Sequence, residues 1–471
     1  MNLLKIAWRN LWRNRRRTII TASSILFAVF FVILMRSFQL GTYGHMIKLS
    51  IESYMGFLQI QHKDYQDDMT IDNSFEYNNG LIGQLEDMPE VKAVVPRLET
   101  FALASTGNQT KGVVVVGVDP ERERNLSNPN GRLVQYRITP AAIEKLKENG
   151  LPEKLFKKLS VLKNSSYISA DGLRAGLKIS NAEAEKYLPG ILEPSFFKNN
   201  PLKTGDDGVL VSDRLAKFLK LNPGDTIILM GQGYQGATAA GLYPVRGIIK
   251  IPAPDLDNKM IYMDINKARE LYNLEGRVTT IAINLYDNSD KNMLKTKDKI
   301  LTIVGDNHKT VKTWKEFNKV LLQQIQSDNQ SGKLILGLLY FIVFFGIFGT
   351  VLMMVHERKR EFGILISIGM KKYKLAVITI FEMMFMGLIG VVSGIVLSLP
   401  LLYLGHEYPI RFTGDLARIM EDMGFEAIMP LEWVDMYVFW QGLIVAFMVI
   451  LSCLYPLRKV FTLKETEALR A

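Results

Sequence analysis

The 471 residues contain a single cysteine, Cys453, so no disulfide can form within the chain and a disulfide-stapled scaffold is excluded. Histidine is also scarce. His45, His62, His308, His356 and His406 are dispersed, with no H-E-x-x-H or similar ligand spacing, and no metal site is expected. No G-x-S-x-G accompanies a triad, and nothing else supplies a nucleophile with a base, so the chain is not expected to be an enzyme. A phosphate-cradling G-x-x-x-x-G-K-[ST] is absent too: SGKL, from Ser331 to Leu334, lacks both the first glycine and the hydroxyl residue. GQGYQG, from Gly231 to Gly236, does satisfy G-x-G-x-x-G after a strand-like run. Gly241 and Pro244 interrupt any helix behind it, and without a helix N-terminus nothing holds a pyrophosphate, so a hairpin tip or flexible loop is expected. No cofactor is expected in this chain.

What the chain has is apolar length. Hydrophobic residues make up 48% and mean hydropathy is +0.09, too apolar for an ordinary charged soluble protein. Four runs are long and apolar enough to cross a bilayer, which takes roughly 20 helical residues: 18–35, 334–355, 375–404 and 436–457. Only Glu382 interrupts them, and a carboxylate at that depth marks function or a buried partner. Lys371, Lys374 or nearby backbone are the partners its position suggests.

Charge then orients the spans. The formal net charge is +10, from 57 Lys and Arg against 47 Asp and Glu. Lys5, Arg9, Arg13, Arg15, Arg16 and Arg17 precede the first run with no acid among them, and the loop 356–374 and tail 458–471 are also basic, whereas the connection 405–435 is acidic. The positive-inside rule therefore places both termini and the basic loop in the cytosol. Lipid, not nucleic acid, accounts for the basic surplus. Within residues 1–17, Leu4, Trp8, Leu11 and Trp12 share one helical stripe and Lys5, Arg9, Arg13 and Arg16 another, as in a helix lying in the membrane interface.

Residues 36–333 are too many for a loop and predict an extracytoplasmic α/β domain. Strand-like runs fall at Gly56 to His62, Val91 to Leu98, Lys111 to Asp119, Asp225 to Met230, Tyr243 to Ile251, Met260 to Asp264 and Thr279 to Leu285. Helical runs begin near Ser212 or Asp213 and after Asp264. Residues 130–205 are Lys-rich and helical in pattern, which suggests an inserted subdomain. Helical stripes at Phe38, His45, Met46 and Leu49, and at Trp314, Phe317, Leu321 and Ile325, predict two helices continuing the spans outward as a paired stalk.

The basic loop and the span after it carry Glu357, Arg358, Arg360, Glu361, Gly363, Leu365, Gly369 and Glu382 at the positions of an ER-x-RE-x-G-x-L-x-x-x-G signature. The tail LYPLRKVFTLKETEALRA resembles a closing YPxRKAxxxxPxEALR but lacks its proline. In these segments, and in AWRNLWRNRRRT and GVLVSDRLAKFLKLNPGDTI, the chain resembles the FtsX/MacB/LolC-LolE-type permeases of type VII ABC systems. The resemblance implies one span, a MacB-like periplasmic domain and three further spans in a bacterial inner membrane. It also implies a dimer with a second permease copy or homologue, and a separate cytosolic ABC ATPase dimer that carries the ATP and Mg.

On that reading, the helix between Arg358 and Gly369 docks on the ATPase, with Ile364, Leu365 and Ile368 as apolar contacts. Motion is then relayed outward, for lipoprotein release or export of a periplasmic substrate. The alternative is an FtsX-like scaffold that activates a periplasmic cell-wall hydrolase.

Overall fold

A computed structural model describes residues 3–13, 15–148, 151–305, 308–412, 415–422 and 426–462. The tail positions Glu467, Ala468, Leu469 and Arg470 lie outside the described residues, as do the side chains of Tyr455, Pro456 and Lys459. The chain divides into two compact units. One comprises Met1–His45, Val320–Arg411 and Ile428–Ala471; the other comprises Met46–Lys319 and Phe412–Ala427.

The first unit is helical: α1 (Leu3–Arg13), α2 (Arg15–Ile47), α3 (Lys319–Glu357), α4 (Lys359–Ser367), α5 (Lys372–Glu407) and α6 (Met436–Phe461). Four of these are long and apolar enough to cross a membrane. They share one core, in which Ile25, Val29 and Ile33 of α2 meet Ile347 and Val351 of α3, Met383 and Met386 of α5, and Val445 and Val449 of α6. Between apolar helices in lipid, close contact rather than water exclusion supplies attraction, and small residues permit it. Gly390 and Gly394 of α5 do so against α2: a Cβ on Gly390 would stand 2.9 Å from Ala22 O, and one on Gly394 2.8 Å from Leu26 O.

The second unit contains a nine-stranded sheet: β1 (Leu58–His62), β2 (Val91–Ser105), β3 (Thr110–Val118), β4 (Val209–Ser212), β5 (Thr226–Gln232), β6 (Thr238–Ile249), β7 (Met260–Asp264), β8 (Thr280–Leu285) and β9 (Lys309–Thr313). Their order is β9-β1-β8-β2-β3-β7-β4-β6-β5. The long β2 serves two neighbours along one edge. Its first half pairs with β8, and its end pairs with β5 through Leu103 and Met230, which closes the last six strands upon themselves. Apolar alternation fills the enclosed core, with Leu98, Val113, Val115, Val211, Leu229 and Ile261 all buried. The glycine-rich segment forms a hairpin tip between β5 and β6, as its breakers predict, with Gly236 at φ +79°.

Two strands escape the sequence reading. Val209–Ser212 is a four-residue apolar run directly before the expected helix, too short to announce a strand, and the polar edge strand Lys309–Thr313 (KTVKT) lacks an apolar signal. That edge strand is antiparallel to β1, with Leu58 opposite Thr313, and Trp314 N donates to Phe57 O at 2.9 Å. The segments entering and leaving this part of the sheet are therefore hydrogen-bonded neighbours.

A π-helix, Lys48–Met55, runs into β1 and is clamped to the sheet. Arg97 of β2, fully buried, donates through Nη1 to Tyr54 O at 2.7 Å and through Nε to Glu123 Oε2 at 3.1 Å, while its Nη2 bonds Glu123 Oε1. Asn284 Nδ2 reaches Glu52 O at 2.8 Å, and Gly56 turns with φ +77° against the Ile283 backbone.

Residues within 130–205 have a separate core that includes Leu146, Leu159, Leu173 and Ile191. They join the sheet domain through a buried polar network. Arg137 Nη2 and Ser166 Oγ donate to Asp213 Oδ1 at 2.7 and 2.8 Å, and Lys217 bonds Asp213 Oδ2. Asp257 beside it accepts from the backbone N of Ile251, Asp213 and Arg214.

Two outcomes follow from these buried charges. Arg97→Ala strands Glu123 without its cation and lowers the stability of the sheet domain by about 3–5 kcal/mol, whereas the pair replacement Arg97→Met with Glu123→Leu recovers most of that loss. Denaturant unfolding followed by Trp314 fluorescence measures both.

The second outcome concerns pH. Burial and the neighbouring Asp213 push the Asp257 carboxyl from its ordinary 3.8 up to about 7. The folded state therefore holds a proton that the unfolded state has lost, and this contribution to stability disappears as pH rises from about 4 through 7. Burial raises Asp213 as well, but Lys217 and Arg137 outweigh it and hold that group below its ordinary range, so its contribution is lost only at lower pH, outside this window. Asp257→Asn should flatten the dependence of the unfolding midpoint on pH between 4 and 7.

Candidate functional site

The signature residues converge at one end of the helical unit. Glu382 stands on α5, buried among apolar helices, where an ionised carboxylate needs a partner. Arg358, in the turn between α3 and α4, supplies it: Nη1 bonds Glu382 Oε2, and Arg358 is itself buried. Asn10 of α1 donates its Nδ2 to Glu382 Oε1 at 2.7 Å. Glu361, on the first turn of α4, accepts from Arg358 Nε at 3.1 Å and from Arg13 Nη2 at 3.3 Å. Five polar side chains thus tie three helices and a turn into one cluster. The partner expected from sequence, Lys371 or Lys374, is corrected to Arg358 and Asn10. Nothing in the pattern of residues 1–17 singled out Asn10, which lies 372 positions from Glu382.

Around this cluster α4 has two faces. Phe362, Gly363 and Ile366 are buried, with Phe362 and Ile366 in the bundle core and the Arg358 guanidinium 5.4 Å from the Phe362 ring centroid. Ile364 and Ile368 are exposed, Ile368 to 79%, while Leu365 is half-buried against the core. Of the three residues expected to form an apolar contact, two are therefore presented outward, and Leu365 leans inward. Glu357 and Arg360 are exposed, and Gly369 ends the segment at φ +96°, a conformation that favours glycine.

The stalk residues distribute differently from expectation. Phe38 and His45 lie on α2 in the helical unit, whereas Met46 and Leu49 belong to the other unit, Leu49 in the π-helix. The single helix expected from Trp314 through Ile325 is broken at Asn318 (φ −109°, ψ 62°). Trp314 and Phe317 form a four-residue helix buried in the sheet domain, and Leu321 and Ile325 begin α3. The outer parts of α2 and α3 do touch, through polar groups not foreseen: Arg36 Nη1 donates to Asn329 Oδ1 at 2.9 Å and Gln39 Nε2 to Asp328 O at 3.0 Å. Among the described residues no group of three or more His, Cys, Asp or Glu is placed to hold a metal ion.

Comparison with known proteins bears on the same region. Residues 333–464 match the family model "FtsX-like permease C-terminal". The chain is 21% identical over 279 residues to the "Lipoprotein-releasing system transmembrane protein LolC" of Xylella fastidiosa, covering 57% of this chain and 66% of the relative. Identity to the protein of that name from Neisseria meningitidis is 24% over 207 residues, 38% of this chain and 49% of the relative. An "Uncharacterized ABC transporter permease" of Methanocaldococcus jannaschii is 25% identical over 233 residues, 48% and 55% of the two chains. The chain thus spans about half to two thirds of the length of these relatives. Among solved structures, the periplasmic region of MacB from Actinobacillus actinomycetemcomitans aligns with a TM-score of 0.30 and 10% identity, covering 59% of this chain and 94% of that one. The extracellular domain of the transporter YknZ from Gram-positive bacteria aligns at 0.28 and 11%, covering 54% and 99%.

Arg358→Leu leaves Glu382 buried without a cation and should destabilise the bundle by about 3–5 kcal/mol, with more than half recovered when Glu382→Leu is added. Cys453, the only cysteine and buried against Met383, makes this measurable in detergent as the temperature at which a thiol-reactive dye gains access.

Proposed function

We propose that this chain, an ABC transporter permease of the FtsX/MacB/LolC type, relays ATP-driven movement of a separate cytosolic ATPase dimer through an inner membrane to a periplasmic domain. The cluster of Asn10, Arg13, Arg358, Glu361 and Glu382 carries the reading. Movement imposed on the exposed face of α4 reaches α1 and α5 directly, because the side chains that hold α4 are the partners of the one carboxylate those helices bury. Ile364 and Ile368 are the apolar anchors that an ATPase groove would take, flanked by Glu357, Arg358, Arg360 and Glu361. Gly363 and Gly369 stand within and after that helix, one in the bundle contact and the other at its end.

Through the chain connections that follow α2 and precede α3, the sheet domain receives displacement on β1 and β9, two hydrogen-bonded strands, so that a shift in either connection is shared by the other. ATP and Mg belong to the ATPase partner on this reading, and a second permease copy or homologue completes the assembly. The relatives named for lipoprotein release favour a lipoprotein as cargo over another periplasmic substrate.

The chain is purified with its ATPase and reconstituted, and Ile368→Asp is compared with the unaltered protein. Ile368 is exposed, so the variant should keep its thermal stability while substrate-stimulated ATP hydrolysis and lipoprotein release fall about tenfold or more, the scale of an anchor lost from an interface. Unchanged coupling, or failure of any nucleotide hydrolase to accompany the chain, contradicts the proposal.

A further inference from the structure

The N-terminal helix α1 is only partly engaged within the chain. Ala7 and Leu11 are buried, Leu11 in the bundle core, and Trp8 meets Phe385 of α5 edge-on at 5.4 Å. Leu4, Trp8 and Trp12 repeat at intervals of four and leave an apolar ridge about half exposed. Lys5, Arg9 and Arg13 of α1 are all exposed, as are Arg15 and Arg16 in the first turn of α2. Among the described residues, Lys5, Arg9, Arg15 and Arg16 make no ion pair; Arg13 alone reaches an acid, Glu361. A tryptophan ridge beside a row of unpaired cations suits the boundary between acyl chains and anionic headgroups, since indole settles at that depth and each cation gains from the surface potential.

We infer that α1 and the first turn of α2 form a binding site for anionic phospholipid headgroups, with Lys5, Arg9, Arg15 and Arg16 as its cations and Trp8 and Trp12 as its apolar ridge, and that occupancy of this site steadies α4. The occupant follows from charge: four unpaired cations face outward and no acid of α1 opposes them. The link to α4 is short. Asn10, one residue from Arg9, holds Glu382, which holds Arg358 at the start of α4, and Arg13 reaches Glu361 within it. An α1 fixed on an anionic surface fixes these contacts; an α1 that lifts away frees two of them. The regulatory consequence rests on the reading of α4 as the docking helix, whereas lipid binding does not, and the two are measured separately.

The full chain is placed in nanodiscs of phosphatidylcholine alone and of equal parts phosphatidylcholine and phosphatidylglycerol, without any ATPase. Bound lipid is identified by native mass spectrometry, and amide hydrogen exchange is followed across Lys359–Ser367. Phosphatidylglycerol should be retained in preference to phosphatidylcholine, more weakly as salt is raised, and should slow exchange in α4. The variant Lys5→Gln/Arg9→Gln/Arg16→Gln changes only exposed side chains and should lose about a hundredfold in that preference, together with the slowing.

Equal retention of the two lipids, a preference indifferent to salt, or a variant that binds as the unaltered chain does would overturn the site. Preferential binding with no change in α4 exchange would overturn the coupling. Loss of ATPase coupling in the Ile368→Asp variant leaves each of these outcomes unaffected, so failure of one reading is distinguishable from failure of the other.

Discussion

A carboxylate held among apolar helices is costly unless a cation and hydrogen-bond donors reach it, and the helical unit of this protein is organised by that requirement. Glu382 recruits Arg358 and Asn10, and Arg358 in turn orients Glu361. Each partner comes from a different element. The turn before α4 cannot shift without leaving α5 with an unpaired charge, and α1 cannot detach without removing a donor from the same group. Apolar packing alone would let these helices slide, since lipid tails are as apolar as leucine. The ionic contact gives the arrangement a defined geometry, while Gly390 and Gly394 hold α5 close to α2.

The sheet domain answers the same problem with different chemistry. Its entry segment is secured by Arg97, whose guanidinium serves the Tyr54 carbonyl and the Glu123 carboxylate at once. The exit strand β9 is an edge strand, and its register with β1 joins the two chain connections through backbone hydrogen bonds. Residues 130–205 hang from this frame by Arg137 and Ser166 on Asp213, a contact whose neighbour Asp257 makes it sensitive to pH.

Much of this was legible in the sequence because it rests on local pattern. About 20 apolar residues in a row can serve few purposes, and a helix long and apolar enough to cross a membrane stands at each of the four runs. Valine-rich stretches such as Lys111 to Asp119 announced central strands. Long-range partnerships were not legible: sequence proximity pointed Glu382 to Lys371 and Lys374, whereas geometry gave it Asn10 from the opposite end of the chain. The helical stripe through Trp314 and Phe317 was real in period but was cut by Asn318, whose backbone leaves the helical region. Strand β9 was hidden because an edge strand facing solvent carries lysine and threonine and so resembles a loop.

If movement is relayed from α4, the outer ends of the spans respond to what is bound there. With Cys453 replaced by serine, spin labels at Phe38 on α2 and Gln326 on α3, both exposed, report the distance between those ends in the reconstituted complex with its ATPase. The distance should change when the ATPase binds ATP and should no longer change in the presence of Glu382→Gln. A distance indifferent to nucleotide, in a complex that still hydrolyses it, would mean that no such relay operates.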